Sequence, residues 1–199
     1  MTMRTLTPVA LLLAALCTAC AGPGGIEPVA FSEEAMNENW AAFMTPGPAH
    51  KALDGKVGTW DVQVTMFMPD GTRQTSTGTS QIAWLMDGRY LQEQVKGEFG
   101  GMPFHGTGTT GFDNMKQRYV YSWFDNMGTG IMYGEGVHDP AAGTFTFTGE
   151  APDVLRGRYV PTRSVETLLD ANHWKAEMWG PGPDGREMKS MELFYTRRS

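Results

Sequence analysis

Glu93 lies between Leu91 and Val95, in a run where apolar and polar side chains alternate. Residues two apart on a strand face the same way, so these three share a face. If that face is enclosed, the carboxylate needs a partner, a water or a proton, because an isolated buried charge costs several kcal/mol. A ligand bearing a donor or a cation could be that partner. The same parity argument gathers other candidates. Arg89 falls on the Glu93 face; Tyr119, Tyr121 and Trp123 share a face; so do Ile131, Tyr133, Glu135 and Val137. Arg163 shares one with Val165 and Leu169. His105 lies in a strand and could face either way. Candidate ligand contacts are therefore Arg89, Glu93, His105, Tyr121, Trp123, Tyr133, Glu135 and Arg163. Aromatics with a few polar groups are what a small-molecule pocket needs. The 14 methionines adapt to irregular ligands. The opposing view is that these side chains fill a core, with Glu93 and Arg163 paired or solvated.

Other chemistry is scarce. There is no G-x-S-x-G elbow, P-loop or H-E-x-x-H. The four histidines, His50, His105, His138 and His173, have no ligand-like spacing. No cofactor or metal is predicted, although a haem or metal held by distant strands is left open. Gly106-Thr107-Gly108-Thr109-Thr110-Gly111 matches the dinucleotide fingerprint letter for letter. An Asx turn follows it where a helix is required, so nucleotide binding is rejected. Glycines on one strand face instead permit close approach of another group. Phe-Asp-Asn-Met occurs twice, at Phe112–Met115 and Phe124–Met127. Each Asp-Asn falls between two strands, where Asx side chains favour turns. If the intervening strand crosses a barrel, the copies lie at opposite ends.

Both cysteines, Cys17 and Cys20, lie near the N-terminus. Arg4 precedes the apolar run Pro8 to Leu16, which is too short to span a bilayer and reads as an export signal. Leu16-Cys17-Thr18-Ala19-Cys20 resembles a bacterial lipobox, with Cys17 where leucine is usual. Lipidation of Cys20 is expected; cleavage after Ala21 is the alternative. Ala21 follows the cysteine where aspartate would signal inner-membrane retention. By resemblance to enterobacterial sorting, the expected address is the outer membrane, facing the periplasm, with a soluble periplasmic or secreted form as the alternative. The mature domain then has no thiol for a disulfide, nucleophile or zinc site. Removing Arg4 takes the net charge from −6 to −7. An acidic chain without a basic stripe argues against nucleic acid. The expected partners are a small molecule and, through the anchor, a membrane.

These residues need elements to hold them. The expected organisation is a signal peptide (1–19), a flexible tether (20–31), a short helical segment (32–54) and a β domain (55–198). Ser32 would cap a helix with Glu33 and Glu34 in its first turn, running to about Met44. From Gly58 onward the periodicity is two. Trp60, Val62, Val64 and Met66 form one dry face; Met191, Leu193, Tyr195 and Arg197 share another parity. Turn residues recur at the ~8–12 residue spacing of an all-β sandwich or barrel, giving about ten strands. About 150 residues suffice for one core.

Gly58-Thr59-Trp60 resembles the G-x-W opening of lipocalin-type (calycin) barrels. A wider set is similar to the bacterial domain-of-unknown-function family 1579. It comprises His50-x-x-Leu53, Asp87 to Leu91, Met102-Pro103-Phe104-x-Gly106, Gly111-Phe112-Asp113, Tyr119-Val120, Trp123 to Thr129, and Met191-Glu192-x-x-Tyr195-x-Arg197. It spans residues 50–198. The resemblance implies a calycin-like antiparallel β-barrel and no known reaction. In lipocalins an arginine from the barrel's end covers the G-x-W tryptophan, and the resemblance makes Arg197 the matching candidate for closure over Trp60, with Arg198 second.

Three functions fit: an exported binding module, an isomerase or hydrolase using an enclosed Glu93 or His105, and an envelope lipoprotein with a filled barrel. The binding module is preferred.

Overall fold

The computed structural model describes residues 28–199. The expected signal peptide, Cys20 and most of the expected tether lie outside the described residues. Helix α1 spans Glu33–Met44, and the Ser32 side chain accepts from the Ala35 N–H at its start. Helix α2 (Pro48–Lys51) and a 3-10 turn (Asp54–Lys56) follow.

Ten strands come next: β1 (Gly58–Phe67), β2 (Arg73–Leu85), β3 (Tyr90–Phe99), β4 (Met102–Asp113), β5 (Arg118–Asp125), β6 (Met132–Asp139), β7 (Thr144–Asp153), β8 (Arg158–Asp170), β9 (His173–Pro181) and β10 (Glu187–Arg197). Each pairs antiparallel with its sequence neighbours, and β1 closes on β10 with Trp60 opposite Arg197. Closure leaves no free sheet edge among the described residues. The expected calycin-like barrel of about ten strands is the fold observed.

One end is sealed. Leu53, His50 and Lys56, from the segment between α1 and β1, are buried there. Leu53 packs in one cluster with Trp60, Val62, Ile82, Leu91, Tyr119, Phe145, Phe147, Trp174 and Tyr195. The Trp60 indole N–H donates to the Lys56 carbonyl at 2.8 Å. The Arg197 guanidinium lies 4.0 Å from the Trp60 ring. It also donates to the carbonyls of Gly55, Val57 and Ala171.

The two Asp-Asn turns occupy opposite ends. Asn114 donates to the Ala42 and Thr45 carbonyls at the sealed end. Asn126 donates to the Pro103 carbonyl at the other end, and its own side-chain oxygen accepts from the His105 N–H. The repeat is turn chemistry used twice.

Candidate functional site

The open half of the barrel holds a cavity of about 350 Å³. Its wall is apolar: Val62, Val64 and Met66 from β1, Phe99 from β3, Phe104 from β4, Met178 from β9, Met191 and Leu193 from β10. Tyr121 and Trp123 of β5 face into it as the parity of that strand predicts. Trp123 lies across β4. A Cβ built on Gly106 would stand 2.2 Å from its ring. The glycine pair that imitates a nucleotide fingerprint therefore makes room for an indole. Trp123 is oriented in turn by donating its N–H to Asp125 at 2.9 Å.

The floor is polar. Glu93 faces inward between the buried Leu91 and Val95. Its Oε1 accepts from the Ser80 hydroxyl at 2.7 Å and from the Tyr195 hydroxyl at 3.1 Å. Burial pushes the Glu93 carboxyl above the ordinary glutamate range, and the nearby Glu166 charge adds to the push. The two hydroxyl donors and Lys56 oppose it without cancelling it. Tyr195 is raised well above the ordinary tyrosine value, by burial first and then by the two carboxylates. Its ring stacks on Trp174, with centroids 3.5 Å apart. Glu166, from β8, lines the same cavity and is bound by the buried Lys56 ammonium. Lys56 also sits over the Phe145 and Trp174 rings, at 4.8 and 5.1 Å.

Of the eight candidate contacts, the barrel brings three together in the cavity: Glu93, Tyr121 and Trp123. The other five lie elsewhere. Arg89 belongs to the β2–β3 turn, before β3 begins. It donates to the Met86 and Met44 carbonyls and so ties the end of α1 to the barrel. His105 is exposed on the outer face of β4. Tyr133 is 64% exposed, and Glu135 pairs outside with Lys116.

The β6 expectation is corrected for a steric reason. Its inner face is Met132, Gly134, Gly136 and His138. The Tyr121 and Phe147 rings of neighbouring strands lie over Gly134 and Gly136. Tyr133 and Val137 are thereby left on the outer parity, and Met132 is the apolar β6 side chain that lines the cavity. Arg163 is likewise corrected. It pairs with Glu187 at 2.8 Å and lies 4.0 Å from the Trp179 ring, outside the barrel and away from Glu93. The inner face of β8 is Thr162, Ser164, Glu166 and Leu168; the first three line the cavity and Leu168 packs on the core.

Ser80, Lys56, Glu166 and Tyr195 are site residues absent from the candidate contacts. Tyr195 was available on the inner face of β10, opposite Val62. Glu166 shares its parity with Leu168, a signal outweighed by Val165 and Leu169. None of the four histidines lines the cavity. His50 accepts from the Gly47 N–H through Nδ1, and burial lowers its pKa. His138 stacks on Phe145, and burial lowers its pKa too. His173 meets Asp170 in the β8–β9 turn. Among the described residues no group of three or more His, Cys, Asp or Glu side chains is placed to hold a metal.

The crystal structure of Rv2717c from M. tuberculosis is similar in fold, with TM-score 0.54 and 13% identity. The match covers 78% of this chain and 100% of that one. A de novo designed fluorescence-activating β-barrel matches at TM-score 0.42 and 16% identity, covering 74% of this chain and 97% of that one. No curated protein matches the sequence. Residues 45–197 match the family model described as "Protein of unknown function (DUF1579)". That match takes in the plug, all ten strands and every residue of the cavity, and the chain therefore belongs to the DUF1579 family.

Proposed function

We propose that this chain is an exported binding protein that holds one small amphipathic molecule in its calyx. The observation that carries this is the cavity itself. Its 350 Å³ falls within the roughly 300–1,000 Å³ of small-molecule sites, and it joins an apolar wall to a carboxylate floor. A barrel built only for stability would fill that volume, since protein interiors pack without such voids. Native mass spectrometry of protein purified from its own membranes should find a bound small molecule. Nile red, an uncharged apolar dye, should bind the purified protein and fluoresce. Ser164→Phe places a ring in the cavity and should abolish the fluorescence while the thermal transition is retained. Dye binding unaltered by Ser164→Phe would remove the calyx as the site.

The proposal includes a lipid anchor on Cys20, supported by the lipobox-like Leu16 to Cys20 and by the Gly/Pro-rich segment after it. Cys20→Ser should abolish lipid labelling and release the protein from outer membranes. A mature chain beginning at Gly22 would refute the anchor.

A further inference from the structure

Among the described residues four charged side chains line the cavity, and all are acidic: Glu93 and Glu166 at the floor, Glu98 and Asp125 among the other lining residues. No described Lys, Arg or His lines it. The nearest base to the floor is Lys56, and it is already held by Glu166. The floor thus carries two carboxyls and one ammonium. Glu93 uses only half of its capacity. Both of its protein donors, Ser80 and Tyr195, reach Oε1. Among the described residues no hydrogen bond reaches Oε2. Phe99, Phe104, Tyr121, Trp123 and Phe147 supply ring faces around the same space, and such faces attract cations. An anionic head would meet acids and no base. A neutral head would leave two carboxyls to one ammonium, so Glu93 would keep its proton and gain no ionic partner.

We propose that the calyx selects cationic amphiphiles, seating a protonated amine on the Glu93 Oε2 at the floor with the apolar body along the aromatic and methionine wall. This rests on the ligand-binding proposal above and specifies its ligand class. An ammonium offers three donors and no acceptor, which suits a floor of acceptors.

Binding is then linked to a proton. In the unliganded protein, burial and the Glu166 charge favour the protonated form of Glu93. A cation on Oε2 favours the ionised form. Seating the amine releases the proton, and affinity rises with pH through the Glu93 titration. The groups that act on Glu93 are Ser80 from β2, Glu166 from β8, Tyr195 from β10 and Lys56 from the plug. Tyr121 from β5 shares the cavity, and its pKa is raised by burial, so it stays neutral across this range.

The test compares three probes with one chain length, decylammonium, decanol and decanoate, by calorimetry on the full mature protein below their aggregation limits. Decylammonium should bind at least tenfold tighter than decanol, and decanoate weaker than both. Its affinity should rise between pH 5 and 8 with proton release, read from buffers of different ionisation enthalpy. Glu93→Gln should erase the tenfold preference and the pH slope while sparing decanol and Nile red. Glu187→Gln, outside the barrel, should change none of these. Decanol or decanoate equalling decylammonium overturns the cation preference and leaves the calyx standing. A preference lost equally in Glu187→Gln overturns it as a general surface field. Failure of all three probes and of Nile red removes the calyx proposal itself. Should Glu93→Gln not fold, the wild-type pH series decides: a rising affinity supports the inference, and a flat one overturns it.

Discussion

At the sealed end Arg197 donates to three backbone carbonyls and covers the fully buried Trp60, while Leu53 and Lys56 plug the interior beneath. At the open end the corresponding tryptophan, Trp123, lies over glycines, bonds one carboxylate and leaves a cavity beside it. There the β5–β6 ladder stops at Trp123 opposite Met132, and a loop continues around the mouth. Both ends are rich in aromatics, so composition does not separate them. The filling of the interior does. At the sealed end Trp60 and Arg197 donate to backbone carbonyls inside a packed cluster, where the buried Trp174 N–H alone lacks a partner among the described residues. Glu93 at the boundary instead borders the cavity and accepts through Oε1 alone. Stability should therefore be concentrated at one end and ligand response at the other.

The largest effect expected is at Trp60. Trp60→Ala empties the centre of the sealed cluster and should cost about 3–5 kcal/mol in denaturant unfolding. Arg197→Ala should cost less, about 2 kcal/mol, because three carbonyls lose a donor but water can reach some of them. The two residues touch, so the double mutant should lose less than the sum, by roughly 0.5 kcal/mol or more. Additive losses would mean that Arg197 closes the end without stacking on Trp60. Neither change should alter the selectivity among the decyl probes, and a large change in it would break the division between the ends.

Glu93→Gln should act in the opposite direction. The amide keeps an acceptor for Ser80 and Tyr195 and removes a buried charge. The folded-state pKa of Glu93 is raised above its ordinary value of 4.5. Between those two values the unfolded chain binds fewer protons than the folded one, so stability falls as pH rises. The penalty is absent below about pH 4.5 and fully present above the raised pKa. Glu93→Gln should therefore be neutral in acid and stabilising near neutrality, by on the order of 1 kcal/mol. Denaturant titrations at pH 4 and pH 8 give the comparison, and a variant less stable than wild type at pH 8 would show that the carboxylate is a structural partner.

Legibility in the sequence followed the same division. On β1, β5 and β10 the inner face is apolar or aromatic, so alternation alone orients Trp60, Tyr121, Trp123 and Tyr195. On β3, Leu91 and Val95 flank Glu93 and carry it inward. On β6 and β8 the rule inverts. The inner positions of β6 include Gly134 and Gly136, whose space is taken by rings from β5 and β7. Those of β8 are Thr162, Ser164 and Glu166, inside because they face a cavity and a buried lysine. A hydrophobicity pattern records what a strand itself contributes, and it is silent on what its neighbours place there. The Lys56–Glu166 pair was illegible for a second reason. Its members are 110 residues apart, and only barrel closure over the plug brings them together.

The smallest effect expected is at Arg163, which sequence parity gathered with Glu93 among the candidate contacts. Its guanidinium makes two hydrogen bonds to Glu187 and lies over Trp179, on the outer surface. Glu187 is more than half exposed, so solvent and salt screen the pair. Exposed ion pairs contribute little to stability, because water and side-chain entropy offset most of the attraction. Arg163→Ala should thus cost only a fraction of the Arg197→Ala loss, and that fraction should shrink further in concentrated salt. Binding of Nile red and of decylammonium should be unchanged, because the barrel wall stands between Arg163 and the cavity. The contrast with Glu93→Gln is the useful part. The two residues have opposite charge and each shares parity with apolar neighbours on its strand, yet one should move ligand selectivity and the other only surface stability. A tenfold change in decylammonium affinity on Arg163→Ala would mean that the outer face of β8 is coupled to the floor through Glu166, and the separation of wall from calyx would have to be redrawn.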